Sequence, residues 1–108
     1  HARHDRAQLS EIFTQLCVRL AEDLRRKGYS TRTVGVKVKY ADFRVLTRDL
    51  TLQHDLTNAA EIRKAAGECL KRVPLEQRIR LLGVRLGALH PLGKHRESAL
   101  QIQADLPF

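Results

Sequence analysis

Apolar residues recur at helical three- and four-residue spacing from Leu9 to Leu24: Leu9, Ile12, Phe13, Leu16, Cys17, Leu20 and Leu24. They predict one long helix over residues 6–27, with Asp5 and Gln8 as a capping box and Gly28 as a left-handed C-terminal cap. The period then changes to two. Val34, Val36, Val38 and Tyr40 alternate with Gly35, Lys37 and Lys39, which predicts a strand over residues 33–40 with valines inward and lysines outward. Ala41-Asp42-Phe43 reads as a short connection, and residues 44–52 as the return strand of a hairpin. There Leu46, Leu50 and Leu52 share a face with Arg48, a mismatch that a bulge or an edge position explains. Helical spacing returns with Ile62, Ala65, Ala66, Cys69, Leu70 and Val73. Asn58 and Glu61 form its capping box, and Pro74 ends it. Leu82, Val84 and Leu86 mark a last strand over residues 78–89. Arg80 would share the leucine face, so the start of that strand is expected to be bulged or half exposed. Pro91, Gly93 and a polar run then read as a linker.

The order helix, strand, strand, helix, strand predicts an α+β domain: a small sheet of about three strands with both helices packed on one face. Residues 1–90 form this domain, 91–102 the linker and 103–108 a tail. No apolar run approaches the length needed to cross a bilayer, so no membrane partner is expected. The chain opens on His1 rather than Met and reads as an excised fragment.

Charge sharpens this picture. The 108 residues include 20 Lys and Arg against 12 Asp and Glu, a formal net charge of +8. Seven cations lie between Arg26 and Arg48 against one acid, Asp42, and seven between Lys71 and Arg96 against Glu76. Clustered charge of this kind points to a polyanionic partner. Cations spaced along the open face of a sheet can track a phosphate backbone without base contacts. Cys17 and Cys69 both fall on apolar helix faces and read as buried, inert thiols suited to a reducing interior. The acids are scattered and the five histidines lack ligand spacing, so neither a catalytic nor a metal site is expected in these residues.

The last six residues, Gln103-Ala104-Asp105-Leu106-Pro107-Phe108, keep large apolar groups where an exposed tail usually sheds them. Gln103 offers a donor and an acceptor to a polar subsite, Leu106 and Phe108 offer apolar anchors, and Pro107 restricts the backbone. This pattern reads as an anchor for a pocket on another protein.

Taken together, Val36-Lys37-Val38-Lys39-Tyr40-Ala41-Asp42-Phe43, Thr47-Arg48 and Arg80-Leu81-Leu82-Gly83-Val84-Arg85-Leu86 resemble the C-terminal little finger domain of Y-family translesion DNA polymerases, nearest the bacterial DNA polymerase IV type. The resemblance covers about residues 9–89. Gln103, Asp105, Leu106, Pro107 and Phe108 resemble the clamp-binding peptide that ends such polymerases, with alanine where leucine commonly follows the glutamine. The resemblance implies a domain that grips primer–template DNA in the major groove while the catalytic core of the same polymerase transfers nucleotides. The parent is then an error-prone, cytoplasmic bacterial DNA-directed DNA polymerase. Its Mg belongs to the catalytic core, and these residues need no cofactor. Lys37, Lys39, Thr47, Arg48, Arg78, Arg80 and Arg85 are the expected DNA contacts, and the sliding clamp is the expected second partner. The family's first strand precedes its first helix. Here that strand is expected to be missing, leaving a three-stranded sheet with an exposed edge or an edge paired with a neighbouring molecule. A non-catalytic polymerase-like mutagenesis adaptor is an alternative. A free-standing RNA-binding sheet is another, although its one strand aromatic, Tyr40, turns toward the valines.

Overall fold

In the computed structural model, residues 6–74, 77–87, 89–91 and 100–106 are described. The chain runs α1 (Arg6–Lys27), β1 (Tyr29–Tyr40), β2 (Val45–Leu56), α2 (Ala59–Leu70), β3 (Ile79–Gly87), β4 (His90–Pro91) and β5 (Leu100–Asp105). Helix α1 has its expected bounds. Gly28 follows it with φ of 76° and donates its N–H to the Arg25 carbonyl at 3.1 Å, so a backbone that suits glycine ends the helix. The Asp5 half of the expected cap lies outside the described residues. Asn58 caps α2, accepting the Glu61 N–H at 2.8 Å, while its own amide donates to the Glu61 carboxylate at 2.6 Å. Helix α2 ends at Leu70, three residues earlier than the spacing predicts, although Val73 is still buried.

The sheet is antiparallel in the order β2-β1-β3-β5, and the two-residue β4 pairs with the start of β1. Both helices cover one face. Helix α1 lies across β5, β3 and β1, and α2 across β1 and β2. Between the layers are Val34, Val36 and Val38 of β1, Leu82, Val84 and Leu86 of β3, and the apolar stripes of both helices. Each such side chain contributes roughly 1.5–3 kcal/mol when fully buried. Arg63 ties the helices together, with its guanidinium 4.4 Å from the Phe13 ring and its Nε donating to the Thr14 hydroxyl at 3.0 Å.

The expected three-strand count needs correcting. The sheet has four main strands because a segment spanning the end of the expected linker and the start of the expected tail joins it. Leu100–Asp105 pairs with β3 in register from Leu81↔Asp105 to Leu86↔Leu100. Part of the expected linker is therefore strand, Pro91 pairs with Tyr29, and the first half of the expected tail forms the end of β5. The physical reason is the span of α1. Three strands leave part of its apolar stripe uncovered. Leu100 is buried there, and Ile102 and Ala104 pack against the core as half-buried neighbours. One edge of the three expected strands, that of β3, is thus occupied by the chain's own C-terminal segment, and the expected loss of a strand before α1 falls on residues 1–5, outside the described residues.

Both cysteines are free and buried. The Cys69 thiol donates to the Val34 carbonyl at 3.4 Å. Burial pushes the Cys17 thiol up to about 11, against the opposing pull of the Arg63 charge.

Two outcomes follow from this packing. A Cβ placed on Gly83 would lie 3.1 Å from Gln103 Cβ. Gly83→Val is therefore expected to push β5 from the edge, to cost about 1–3 kcal/mol in urea unfolding and to speed hydrogen exchange at residues 101–105 while β1 amides stay protected. Because the folded Cys17 pKa is raised, the stability it contributes is full below the unfolded thiol value and is lost as pH rises through about 11. Chemical denaturation at pH 8 to 11 should show the wild type losing up to about 2–3 kcal/mol relative to Cys17→Ala.

Candidate nucleic-acid interface

With both helices on one side, the other face of the sheet is open. Strand pairing sets its side chains in rows. One row runs Val45, Lys39, Leu81 and Asp105 from β2 to β5; the next runs Thr47, Lys37, Gly83 and Gln103; a third runs Asp49, Gly35, Arg85 and Gln101. Lys37 and Arg85 are exposed, and Lys39 is half-buried. Gly35 and Gly83 leave a shallow depression among these rows. A Cβ on Gly35 would lie only 2.0 Å from the Asp49 carboxylate, so this glycine makes room for that acid on the floor of the face.

Arg80 reaches the interface through an irregularity. Lys39 pairs with Leu81, but Tyr40 pairs with Ile79, so Arg80 is an extra residue in β3. Strict alternation would aim it into the core beside Leu82. The bulge frees it from that alternation, and it is exposed. Of the residues expected from the sequence, Lys37, Lys39, Thr47 and Arg85 therefore share the open face, with Arg80 added by the bulge. Arg78 stands just before β3. It lines a cleft with Ala41, Arg80, Asp105 and Leu106, and its carbonyl accepts the Ala41 N–H at 2.9 Å.

Arg48 is the exception. It pairs with Val36, whose side chain is in the core, so Arg48 sits on the helix side of the sheet with Leu46 and Leu50. It is half-buried, and its guanidinium donates to the Thr47 carbonyl at 2.7 Å. Period two separates neighbours in a strand, so Thr47 and Arg48 cannot both belong to the open face. Arg48 therefore does not share the open face with the other expected residues.

Residues that the sequence reading did not assign to this face complete it. Gln101, Gln103 and Asp105 line its β5 margin, and Thr33 and Thr51 share a hydroxyl contact at 3.0 Å at one end. The β5 signal was present, since Leu100, Ile102 and Ala104 alternate with Gln101, Gln103 and Asp105. At the other end, the loop joining β1 to β2 carries Phe43, 61% exposed. Asp42 anchors that loop. Its carboxylate accepts the Arg44 N–H at 3.1 Å and the Arg44 side chain at 2.8 Å, and these bonds, the backbone one first, hold it below the usual carboxylate range.

Of the expected tail residues, Gln103 and Asp105 are exposed on β5. Leu106 is half-buried and donates its N–H to the Arg80 carbonyl at 2.7 Å. Pro107 and Phe108 lie outside the described residues. Among the described residues, no helix is long and apolar enough to cross a membrane.

Residues 1–106 match the impB/mucB/samB family C-terminal domain. The chain is 37% identical to DNA polymerase IV of Streptomyces coelicolor over 86 residues, which is 80% of this chain and 18% of that protein. It is 32% identical to DNA polymerase IV 2 of Mesorhizobium japonicum over 97 residues, 86% of this chain and 22% of that protein. It is 39% identical to DNA polymerase kappa of Mus musculus over 77 residues, 67% of this chain and 9% of that protein. The chain thus spans less than a quarter of the length of these three relatives. It belongs to the impB/mucB/samB family of C-terminal domains, the little finger of Y-family DNA polymerases.

Proposed function

We propose that this chain holds primer–template DNA for a translesion DNA polymerase, with the open sheet face laid along the duplex backbone. One observation carries the reading: Lys37, Lys39, Arg80 and Arg85 stand with Thr47 on the face that neither helix covers. Lys37 and Lys39 are two residues apart, roughly 7 Å along the strand, a spacing suited to a backbone with one charge per nucleotide. Arg85 and Arg80 bring cations from the neighbouring strand. Arg–phosphate pairs can be bidentate, and lysine acts as a point charge. The Thr47 hydroxyl adds a donor that works at any sequence. Such contacts grip DNA without reading it, which suits a domain that must stay on damaged template. Nucleotide transfer, and the Mg it needs, belong in this reading to the catalytic core of the same polymerase. The names of the relatives support that parentage over a non-catalytic adaptor. The RNA-binding alternative loses its stacking residue, because Tyr40 is buried and donates its hydroxyl to the Pro74 carbonyl at 2.7 Å.

Docking on the sliding clamp through Gln103, Asp105, Leu106, Pro107 and Phe108 is the second part of the proposal, supported by the sequence of the tail. Edge pairing adds a condition. Gln103 and Asp105 are held in the β5 ladder, so a clamp pocket can take the peptide only after the end of β5 leaves β3. Ile102, Ala104 and Leu106 are half-buried rather than sealed in, which keeps that release modest in cost.

Charge reversal tests the grip. Lys37→Glu with Lys39→Glu and Arg85→Glu should weaken duplex binding at least about 100-fold and flatten its salt dependence, while Arg48→Glu should stay within about threefold of wild type. Fluorescence anisotropy against salt measures both, and wild-type affinity in the triple variant would sink the proposal. For the tail, adding clamp should speed hydrogen exchange at residues 101–105 and leave β1 unchanged. Leu106→Ala with Phe108→Ala should abolish clamp binding and spare DNA binding; clamp binding that survives this double change rejects the peptide as the docking element.

A further inference from the structure

The loop between β1 and β2 breaks two local rules at one residue. Phe43 donates its N–H to the Tyr40 carbonyl at 2.9 Å, and Tyr40 donates to the Arg44 carbonyl at 2.9 Å. That closes a turn whose last residue is left-handed, a place usually given to glycine or asparagine. Phe43 occupies it with φ of 69°. Its side chain gains little burial in return, being 61% exposed. Unfavourable backbone and an exposed apolar ring together point to a gain made outside the fold.

The surroundings of the ring show what that gain is. Arg80 Cζ lies 4.5 Å and Lys39 Nζ 5.3 Å from its centroid. The two cations come from different strands, and the bulge that exposes Arg80 is what brings it here. Neither is ion-paired with an acid among the described residues. Asp42, the acid in the same loop, is engaged by Arg44, whose guanidinium lies over Tyr40 instead. Asp105 pairs with Leu81 and lines the neighbouring cleft with Arg80, so among the described residues it is a carboxylate that shares the surroundings of that charge.

We propose that Lys39, Phe43 and Arg80 form a single phosphate-binding unit in which Phe43 is the positioning residue. The negative face of an aromatic ring attracts both cations without neutralising them. It therefore holds two like charges close together, each still free to meet an anion. A guanidinium lying on a ring keeps its N–H edge open for bidentate contact with phosphate oxygens, and the ammonium adds a second charge from beside it. The matching ligand is a backbone phosphodiester, so this inference rests on the DNA-holding reading. It adds a residue that carries no charge and touches the DNA only through its neighbours.

The 108-residue chain tests this with three variants. Phe43→Leu keeps apolar bulk and removes the ring. Phe43→Asn suits left-handed backbone. Phe43→Tyr keeps the ring. The Leu and Asn variants should bind duplex DNA about 3- to 10-fold more weakly and show a salt slope smaller by about one. The Asn variant should melt no lower than wild type, which separates the loss from instability, and the Tyr variant should retain wild-type affinity and slope. Inorganic phosphate should shift the Arg80 Nε–H resonance in the wild type and not in Phe43→Leu. Wild-type affinity and slope in the Leu and Asn variants, or an equal loss in the Tyr variant, would overturn the assignment. A wild type that fails to bind duplex but shows the ring-dependent phosphate shift would reject the DNA reading and leave the phosphate unit standing.

Discussion

The valine row of β1 is the constraint on which the rest depends. Val34, Val36 and Val38 are the centre of the central strand and are pressed under both helices. Their burial fixes the register of β1 against β2 on one side and β3 on the other. A slip of one residue would put Lys37 and Lys39 beneath the helices, where an unpaired charge is prohibitively costly. The same burial that stabilises the domain therefore sets its lysines in order on the opposite face. Core and open face are two sides of one alternation, and neither can change register alone.

Departures from that alternation do much of the remaining work. The extra residue in β3 lets an arginine sit between Ile79 and Leu81 without entering the core. At the far end of β1, a single residue, Arg32, faces the four residues 52–55 of β2. Arg32 and Asp55 are bonded at 2.7 Å across this irregularity, which also returns Leu56 to the core. Bulges at the ends of a ladder re-aim side chains while its centre stays regular. The sheet keeps its regular middle for packing and uses its irregular ends to move charge.

Strand β5 shows how one segment meets two demands. On one side Leu100, Ile102 and Ala104 give α1 a surface to pack on. On the other, Gln101, Gln103 and Asp105 extend the open face with polar groups, one of them an acid beside the cations. An edge strand has neighbours on only one side, so it is the part of a sheet most easily exchanged for another partner. A tail that both completes the sheet and resembles a docking peptide is suited to that position.

Both helices, the hairpin and β3 were legible in the sequence because their periods are set by burial on one side, and such periods survive without knowledge of the partner surface. So was most of the open face, since Lys37, Lys39, Thr47 and Arg85 follow from the valine alternation. The mismatch of Arg80 with the leucines was also readable as a bulge. Other features needed the tertiary structure. Arg48 looks like its basic neighbours until pairing with Val36 assigns it to the helix side. The end of the chain carries a strand pattern, but only the uncovered part of α1 decides that it folds back onto β3. The ring of Phe43 reads as a turn residue until a strand bulge 37 residues along the chain sets Arg80 against it. Sequence alone determined which face of each element is apolar, because water imposes that locally. Tertiary structure decided which cations share a face and what covers the edge, because those depend on register and reach between segments far apart in the chain.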